Sequence, residues 1–438
     1  MLLTEGENRF YGPVDRERRF GGRPRSGQDL RDPFERDHGR IIHSAAFRRL
    51  QSKKQVIGTD AGDFHRTRLT HSMEVAQIAR GIALSLNRRS PLLGEGEKID
   101  ISLVEAAALA HDLGHPPFGH EGERALHRCM MRHGGFEGNA QTFRILTRLE
   151  GKKGEGLNLT RSLLLSVLKY PIRLEDAIND PGHPEARRRP PKASVYTLDS
   201  RAFQWVLEPY SQREKEFFTE KAATDSNSPF FRTRRMSLEC SLIDLADDIA
   251  YATHDLEDAV NFRLVEMEEL FEILAGTARN HPCEEVKRAL ELTRSLRPRQ
   301  EDFKHHLKQV FANLISAFVN YTELREEGEP TFSPRFRYRV DFPAGLEELN
   351  RKLKELAEIR VIDSPGVQAL AFKGERVVRL LFDALMSEEK LLPENDRRQL
   401  DQEPQSRARI VCDYVAGMTD PFAVRMYERL YGSGRSLI

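Results

Sequence analysis

The feature that most constrains this sequence is a helix of small apolar residues that ends at a histidine–aspartate pair. Between residues 99 and 113 the run VEAAALA (104–110) predominates. Small side chains let neighbouring helices approach closely, so the pattern predicts a central, buried helix. Gly114, Pro116 and Pro117 follow it. Because proline cannot continue a helix, residues 115–120 are predicted to form a loop.

Other segments show helical periodicity, and together they indicate the fold class. Amphipathic helices are predicted at 40–51, 68–87, 237–262, 265–325, 345–360 and 366–387. Turn-rich stretches lie at 58–63, 180–195 and 222–230, and 335–342 alternates weakly, as a short strand does. The pattern lacks the strand–helix alternation of a nucleotide-binding parallel sheet. We therefore predict a mainly α fold with short irregular insertions.

The predicted elements group into three stretches of the chain. Residues 1–35 are rich in arginine, glycine and proline and are interpreted as an N-terminal arm. Residues 36–265 are interpreted as the core, with an insertion near 180–235, and 266–438 as a helical C-terminal part packed on that core. With 39% hydrophobic and 31% charged residues, the chain has enough apolar surface to bury such a core.

Charge is balanced overall and clustered locally. The 68 Lys and Arg residues equal the 68 Asp and Glu residues, which argues against a protein that coats nucleic acid generally. The local basic clusters are either solvated surface or contacts for single-stranded DNA. They are Arg16, Arg18, Arg19, Arg23 and Arg25; Arg187, Arg188, Arg189 and Lys192; and Arg232, Arg234 and Arg235.

Cysteine usage and the length of apolar runs indicate the compartment. The 4 cysteines are scattered without a CxxC pair, as expected in a reducing cytoplasm. No apolar run reaches the roughly 20 residues that cross a bilayer, and the N-terminus has no signal-peptide core. We expect a cytoplasmic protein without a membrane partner.

Histidine and carboxylate residues concentrate around the loop that follows the small-residue helix. His111, Asp112, His115 and His120 fall within ten residues, whereas GxxxxGK[ST], GxGxxG and GxSxG motifs are absent. Adjacent helical residues point about 100° apart, so His111 and Asp112 can contact one ion only near a helix end. These ligands suit a divalent first-row metal or magnesium. Capping of the helix end is the structural alternative.

Two further helices carry polar residues among apolar ones. His71 lies near the start of the first, where a histidine satisfied within the core is the alternative to a ligand. The second helix, 237–262, has a polar stripe at three- or four-residue spacing. Like charges on one stripe are unfavourable unless a cation or ligand offsets them, which favours a site over a solvated face. The stripe consists of Asp244, Asp247 or Asp248, Tyr251 and Asp255.

Six segments, in order along the chain, resemble the HD-domain phosphohydrolases and, within them, the deoxyguanosinetriphosphate triphosphohydrolases. They are RIIHSAAFRRLQ (40–51), RTRLTHS (66–72), HDLGHPPFGH (111–120), FEGNAQ (136–141), ADDIAY (246–251) and DYVAGMTD (413–420). The family signature is a histidine, a His-Asp pair and a distant aspartate. The resemblance spans about residues 30 to 425 and implies an HD-domain helical fold with additional helices.

The resemblance implies a metal-ligand set of two histidines and two aspartates. The family's spacing selects Asp247, rather than its neighbour, together with Tyr251 and Asp255. The implied ligands are His71, His111, Asp112 and Asp247. Mg²⁺ or Mn²⁺ is expected first, and Fe²⁺, Co²⁺, Ni²⁺ or Zn²⁺ is compatible with the same ligand types.

The resemblance also implies contacts with a deoxynucleoside triphosphate. Gln55 would bond the 3′-hydroxyl, Arg68 the α-phosphate, and His115 and Lys169 the phosphates. Tyr251 would pack against the deoxyribose and hinder a 2′-hydroxyl, and Asp255 would meet the sugar or phosphate. The implied catalytic residues are His120 and Glu123, which orients it.

The implied reaction is attack of water at the α-phosphorus of dGTP, and of other dNTPs, giving deoxynucleoside and tripolyphosphate. His120 would protonate the leaving 5′-oxygen or assist the nucleophile. The alternatives are another HD-type nucleotidase or phosphodiesterase, and a dNTP-sensing or single-stranded nucleic-acid-binding protein. The resemblance also implies a homo-oligomer, a tetramer or hexamer, and a dNTP that acts as an allosteric activator.

Overall fold

The computed structural model describes residues 8–22, 30–55, 66–152, 154–223, 227–280, 283–296, 302–362 and 364–432. The predicted turn at 58–63, together with Arg23 and Arg25 of the N-terminal cluster, lies outside these residues. Among the described helices, none is long and apolar enough to span a membrane.

The described part of the chain is built almost entirely of helices, which confirms the predicted mainly α class. The helices are α1 (Pro33–Ile42), α2 (Ala45–Arg49), α3 (Arg68–Arg89), α4 (Ile101–Ala110), α5 (Gly119–Met130), α6 (Gly138–Arg144), α7 (Arg161–Ser166), α8 (Pro184–Arg188), α9 (Ser200–Leu207), α10 (Gln212–Phe218), α11 (Leu238–Ala250), α12 (Leu256–Asn261), α13 (Met267–Asn280), α14 (Glu284–Ser295), α15 (Phe303–Tyr321), α16 (Pro334–Arg337), α17 (Ala344–Ala357), α18 (Pro365–Ser387), α19 (Glu394–Gln402), α20 (Arg407–Ala416) and α21 (Asp420–Tyr431). Single π-helical turns lie at Ile145–Leu149, Tyr251–Asp255 and Glu358–Ile362.

Two small antiparallel hairpins complete the described elements. Strand β1 (Lys221–Ala223) pairs with β2 (Phe231–Thr233), and β3 (Glu323–Glu326) pairs with β4 (Tyr338–Asp341). The strand predicted over 335–342 is therefore shorter than expected. Ser333 caps the helical turn α16, which occupies the first residues of the predicted strand.

Helix α4 is the central helix that its small residues predict. The Asp100 carboxylate caps it by accepting the Leu103 amide at 2.9 Å, and α4 packs against α3, α1 and α11. It ends at Ala110, earlier than predicted. The chain then passes Gly114, where an added Cβ would lie 2.1 Å from the Gly138 carbonyl oxygen. Only glycine allows α6 to approach the end of α4 this closely.

The predicted helix 237–262 is divided by the π-helical turn at Tyr251–Asp255 into α11 and α12. Ser237 caps α11 by accepting the Cys240 amide. A π turn widens the helix locally, and such turns are frequent at functional sites. Here the π turn carries Tyr251 and Asp255, the last two members of the predicted polar stripe.

The predicted N-terminal arm is packed on the core where it is described. Phe10 and Tyr11 are buried, and the Tyr11 hydroxyl donates to Glu239 Oε1 at 2.7 Å. Glu239 also accepts the fully buried Arg335 guanidinium at 2.7 Å. Residues 8–22 are mostly irregular, with one 3-10 turn at Pro13–Arg16, and they join the HD-like helices to the C-terminal part.

Candidate metal centre and active-site cavity

A cavity of about 680 Å³ brings together the polar residues of α3, α5, α11 and the loop after α4. This volume lies within the range of small-molecule binding pockets. Every predicted site residue except Asp255 lines it. These residues are Gln55, Arg68, His71, His111, Asp112, His115, His120, Glu123, Lys169, Asp247 and Tyr251.

His71, His111 and Asp247 form a compact cluster at the cavity wall. One potential ligand atom from each residue lies within 4.8 Å of the other two. Asp247 Oδ1 is 3.0 Å from His71 Nε2 and 3.8 Å from His111 Nε2. Metal–ligand bonds to nitrogen and oxygen are about 2.0–2.2 Å long, so one ion can reach all three atoms.

The hydrogen bonding of His111 fits the role of a metal ligand. Its Nδ1 lies 2.6 Å from the Ala108 carbonyl oxygen and donates to it. That bond leaves Nε2 as the nitrogen with a free lone pair. Nε2 is buried, has no hydrogen-bond partner, and is the atom aimed at Asp247. Histidine ligands are commonly oriented by such a bond from the other ring nitrogen.

Asp112 lies beside this cluster, and its oxygens have other neighbours. Its Oδ2 accepts the Arg68 guanidinium at 2.6 Å. Its Oδ1 is 3.0 Å from His115 Nδ1 and 3.5 Å from His111 Nε2. The predicted fourth ligand is thus adjacent to His111, but it is not a member of the three-residue cluster.

Asp248, the rejected alternative to Asp247, points to a different partner. Lys354 of α17 donates to Asp248 Oδ1 at 2.6 Å. Lys169 and Asp244 form a second ion pair across the cavity. The carboxylates of α11 therefore have different partners. Asp247 belongs to the cluster with His71, whereas Asp244 and Asp248 each pair with a lysine.

His115 occupies the cavity beside Arg68 as a neutral side chain. Burial and the nearby Arg68 charge lower the pKa of His115 to about 4. At neutral pH it is therefore uncharged, with both a donor and an acceptor nitrogen. The cationic groups of the cavity are the lysines and Arg68.

His120 and Glu123 form a pair in which His120 is exposed and Glu123 is buried. The His120 side chain is 64% exposed, and its Nδ1 is 3.3 Å from Glu123 Oε2. Glu123 is buried and also accepts the Gly138 amide at 2.7 Å. Burial raises the pKa of Glu123, but Lys192 and the hydrogen bond with His120 outweigh it, so the pKa lies below its usual range.

The loop that precedes His120 is held by the C-terminal part of the chain. Phe118 has a left-handed backbone (φ 65°), which is unfavourable for a residue with a side chain. Asp420, at the start of α21, accepts the Phe118 amide at 3.0 Å through Oδ1 and the Lys54 amide at 3.1 Å through Oδ2. Gly374 of α18 lies against the Phe118 ring, where a Cβ would come within 2.7 Å.

Asp255 does not reach the cavity with the other predicted residues. It is 6% exposed, and burial raises its pKa to about 6, although His71 opposes the shift. The expected contact of Asp255 with sugar or phosphate stays a prediction. The π-helical turn at Tyr251–Asp255 begins at Tyr251, which lines the cavity, and ends at Asp255, which does not.

Several cavity residues were not predicted as site residues. The sequence places Lys192 in a basic cluster next to two prolines, and this pattern does not indicate that the lysine lines the cavity. The aliphatic and amide residues of α18 resemble ordinary helix positions in sequence. The unpredicted cavity residues include Lys54, Asn139, Lys192, Lys354, Val367, Gln368, Leu370, Lys373 and Val424.

Two protein-family models match the chain. The HD domain matches residues 68–252, which include the three-residue cluster, His120 and Glu123. The Phosphohydrolase-associated domain matches residues 340–429, which include α18 and Asp420. The cavity is therefore lined from both matched regions.

Curated relatives match nearly the whole chain. A deoxyguanosinetriphosphate triphosphohydrolase-like protein from Shewanella sp. (strain ANA-3) is 41% identical, over 95% of this chain and 96% of the relative. Proteins of the same name from Shewanella oneidensis and Shewanella pealeana are 40% identical over 95% of this chain. The alignments cover 97% and 96% of those two relatives.

Proposed function

The chain belongs to the family of deoxyguanosinetriphosphate triphosphohydrolase-like HD proteins, and from this premise we propose that it hydrolyses dNTPs to deoxynucleoside and tripolyphosphate. The predicted family resemblance is confirmed. The HD-domain match and the names of the relatives also support an HD-type phosphohydrolase activity. Substrate, metal dependence and residue roles form the proposal. Its chief support is that one cavity holds the His71–His111–Asp247 cluster, the His120–Glu123 pair and several cationic side chains.

A divalent metal fits the cluster. His71, His111 and Asp247 would hold it, with Asp112 next to His111, and the free Nε2 of His111 supports this assignment. When bound, such an ion supplies positive charge that polarises a phosphoryl oxygen. The ligand types accept Mg²⁺, Mn²⁺ and other first-row ions.

The cations of the cavity suit a triphosphate. A triphosphate carries about four negative charges, which one divalent ion does not neutralise. Arg68 and Lys169 face the cavity while paired with Asp112 and Asp244. We propose that they bind the phosphates, with His115 as an uncharged donor.

His120 is the proposed acid–base residue. Glu123 engages Nδ1, which leaves Nε2 available to move a proton at the 5′-oxygen or at the attacking water. Glu123 holds the ring orientation because it is itself fixed by the Gly138 amide. Gln55 and Tyr251, both in the cavity wall, are proposed to contact the deoxyribose.

Product analysis tests the proposal. Purified protein is incubated with each dNTP, singly and in pairs, with Mg²⁺ or Mn²⁺, and products are separated by anion-exchange chromatography. Tripolyphosphate and deoxynucleoside are expected in equal amounts. Orthophosphate or pyrophosphate would instead identify a nucleotidase or another phosphohydrolase of the HD type. Acceleration of one dNTP's hydrolysis by another tests the predicted allosteric activation.

The proposed partners are tested separately. A homo-oligomer, tetramer or hexamer, is checked by light scattering with and without dNTP. Salt-dependent binding of single-stranded DNA tests the basic clusters, because phosphate contacts release counterions and weaken as salt increases.

A further inference from the structure

Lys192 reaches the cavity from the insertion between α8 and α9. The following residues Ala193, Ser194, Val195 and Tyr196 are buried. Their backbone is fixed against the segment after Lys169, since the Ser194 amide donates to the Tyr170 carbonyl at 2.8 Å. Lys192 therefore stands at a fixed position in the cavity wall.

Two buried carboxylates meet where Lys192 enters. Glu137 is fully buried and caps α6 by accepting the Ala140 amide at 2.9 Å. Glu123, also buried, accepts the adjacent Gly138 amide at 2.7 Å. Both acids thus lie at the N-terminus of α6, and Glu123 is also 3.3 Å from His120 Nδ1. Lys192 Nζ is 3.8 Å from Glu137 Oε1.

Two buried carboxylates that accept amides at the same helix N-terminus are unfavourable as a pair of charges without a nearby cation. Burial, opposed by Lys192 and reinforced by the nearby charge of Glu123, raises the pKa of Glu137 to about 7. The titratable groups around this pair are Lys192, His120, His115 and the Tyr196 phenol, whose hydroxyl bonds the Glu137 backbone.

We propose that Lys192 is a positioning residue, whose ammonium group balances the carboxylates of Glu123 and Glu137 and thereby keeps Glu123 ionised as the partner of His120. The inference rests on the proposed function for its catalytic consequence. It assigns to the insertion a role in the active site, because the insertion delivers the one cation shared by the two acids among the described residues.

The kinetic test compares Lys192→Met, Lys192→Arg and the double variant Lys192→Met/Glu137→Gln. Lys192→Met is expected to lower kcat by about tenfold or more with a smaller change in KM, as loss of an orienting partner does. Lys192→Arg keeps the charge, and Glu137→Gln removes the excess charge, so both are expected to restore most of kcat. Arg188→Met, an exposed change in the same basic cluster, is the matched control and should behave as wild type.

A stability test does not require turnover. Glu137 has a folded pKa of about 7, above that of a free glutamate, so its contribution to stability falls as pH rises through 7. Because Lys192 lowers the pKa of Glu137, its loss would raise that pKa, and the contribution of Glu137 to stability would continue to fall at higher pH. Lys192→Met should therefore lower Tm more at pH 8 than at pH 6, and Glu137→Gln should remove that difference.

The two tests separate the inference from the proposed function. A wild-type protein that releases no tripolyphosphate overturns the proposed function, while the pH-dependent Tm difference still tests the charge balance. A normal kcat in Lys192→Met, a rise in KM alone, or an absent Tm difference overturns the inference. A rise in KM alone would identify Lys192 as a direct phosphate contact instead.

Discussion

The two sets of helices that line the cavity differ in chemistry. Helices α3, α5 and α11 contribute ionisable side chains that are fixed by short polar contacts, such as His71 to Asp247 at 3.0 Å. Helix α18 contributes a mainly aliphatic surface, with Val367, Leu370 and Ala371 among its cavity residues. The difference fits the proposed function, in which the HD helices supply the reacting groups and the C-terminal helices shape the space beside them.

The largest effect is expected from removing a ligand. Asp247→Asn leaves the cluster without its carboxylate, and the charge stabilisation supplied by the metal is lost. We expect kcat to fall on the order of 10³-fold or more, equivalent to about 4 kcal/mol. Metal content, measured by elemental analysis after dialysis, should fall with it. Asp248→Asn is the matched change, because its carboxylate pairs with Lys354, and it should retain the metal.

If Asp247→Asn kept its metal, the cluster would not be the metal centre. Asp112, whose Oδ1 lies 3.5 Å from His111 Nε2, would then be the next candidate for the carboxylate ligand.

A smaller loss is expected when the acid–base residue is removed and the cluster is left intact. His120→Ala should reduce kcat by roughly 10²–10⁴-fold, the usual contribution of a positioned acid or base. Its metal content should match wild type, because His120 bonds Glu123 and not the cluster. Near-normal turnover in His120→Ala would contradict the assignment.

Most of the polar residues that line the cavity on the HD side were predictable from sequence. His111-Asp112 stands out because a polar pair ends a helix of small apolar residues, and a family motif selects Asp247 from its neighbours. The π-helical turn at Tyr251–Asp255 was not predictable, since regular helical spacing contains no sign of it. Long-range placement was likewise hidden in sequence: Lys192 lies 3.8 Å from Glu137, although the two residues are far apart in the chain.

The C-terminal side was predicted as helices but not as a wall of the site. An aliphatic residue that faces a cavity and one that faces the core produce the same amphipathic pattern. The family motif ending at Asp420 was recognised without a role. The sequence does not show that α21 packs against the loop at Phe118 and the segment at Lys54. It therefore could not predict that Asp420 accepts the backbone amides of these two residues.

Asp420 links the two sides, and its removal should have an intermediate effect. Asp420→Ala leaves the partly buried amides of Phe118 and Lys54 without their acceptor, at a cost of about 1 kcal/mol for each group, the lower end of the range for a buried unsatisfied group. We expect a lower Tm by differential scanning fluorimetry and a reduced kcat, because the Phe118 strain is no longer opposed. Asp420→Asn, which keeps one oxygen, should lie between Ala and wild type. Equal Tm values for all three proteins would show that the two sides are independent.

The smallest effect concerns selectivity rather than rate. Tyr251 lines the cavity on the HD side, so Tyr251→Ala should lower discrimination between a dNTP and its ribonucleotide by about tenfold, the value of a steric contact. The measurement is the ratio of kcat/KM for dGTP and GTP. Leu370→Ala on α18 is the matched change, because it also removes cavity-lining apolar surface. If the sugar lies against the HD helices, only Tyr251→Ala alters that ratio. An equal effect of Leu370→Ala would place the sugar between the two sets of helices, and both sets would then contribute to selectivity.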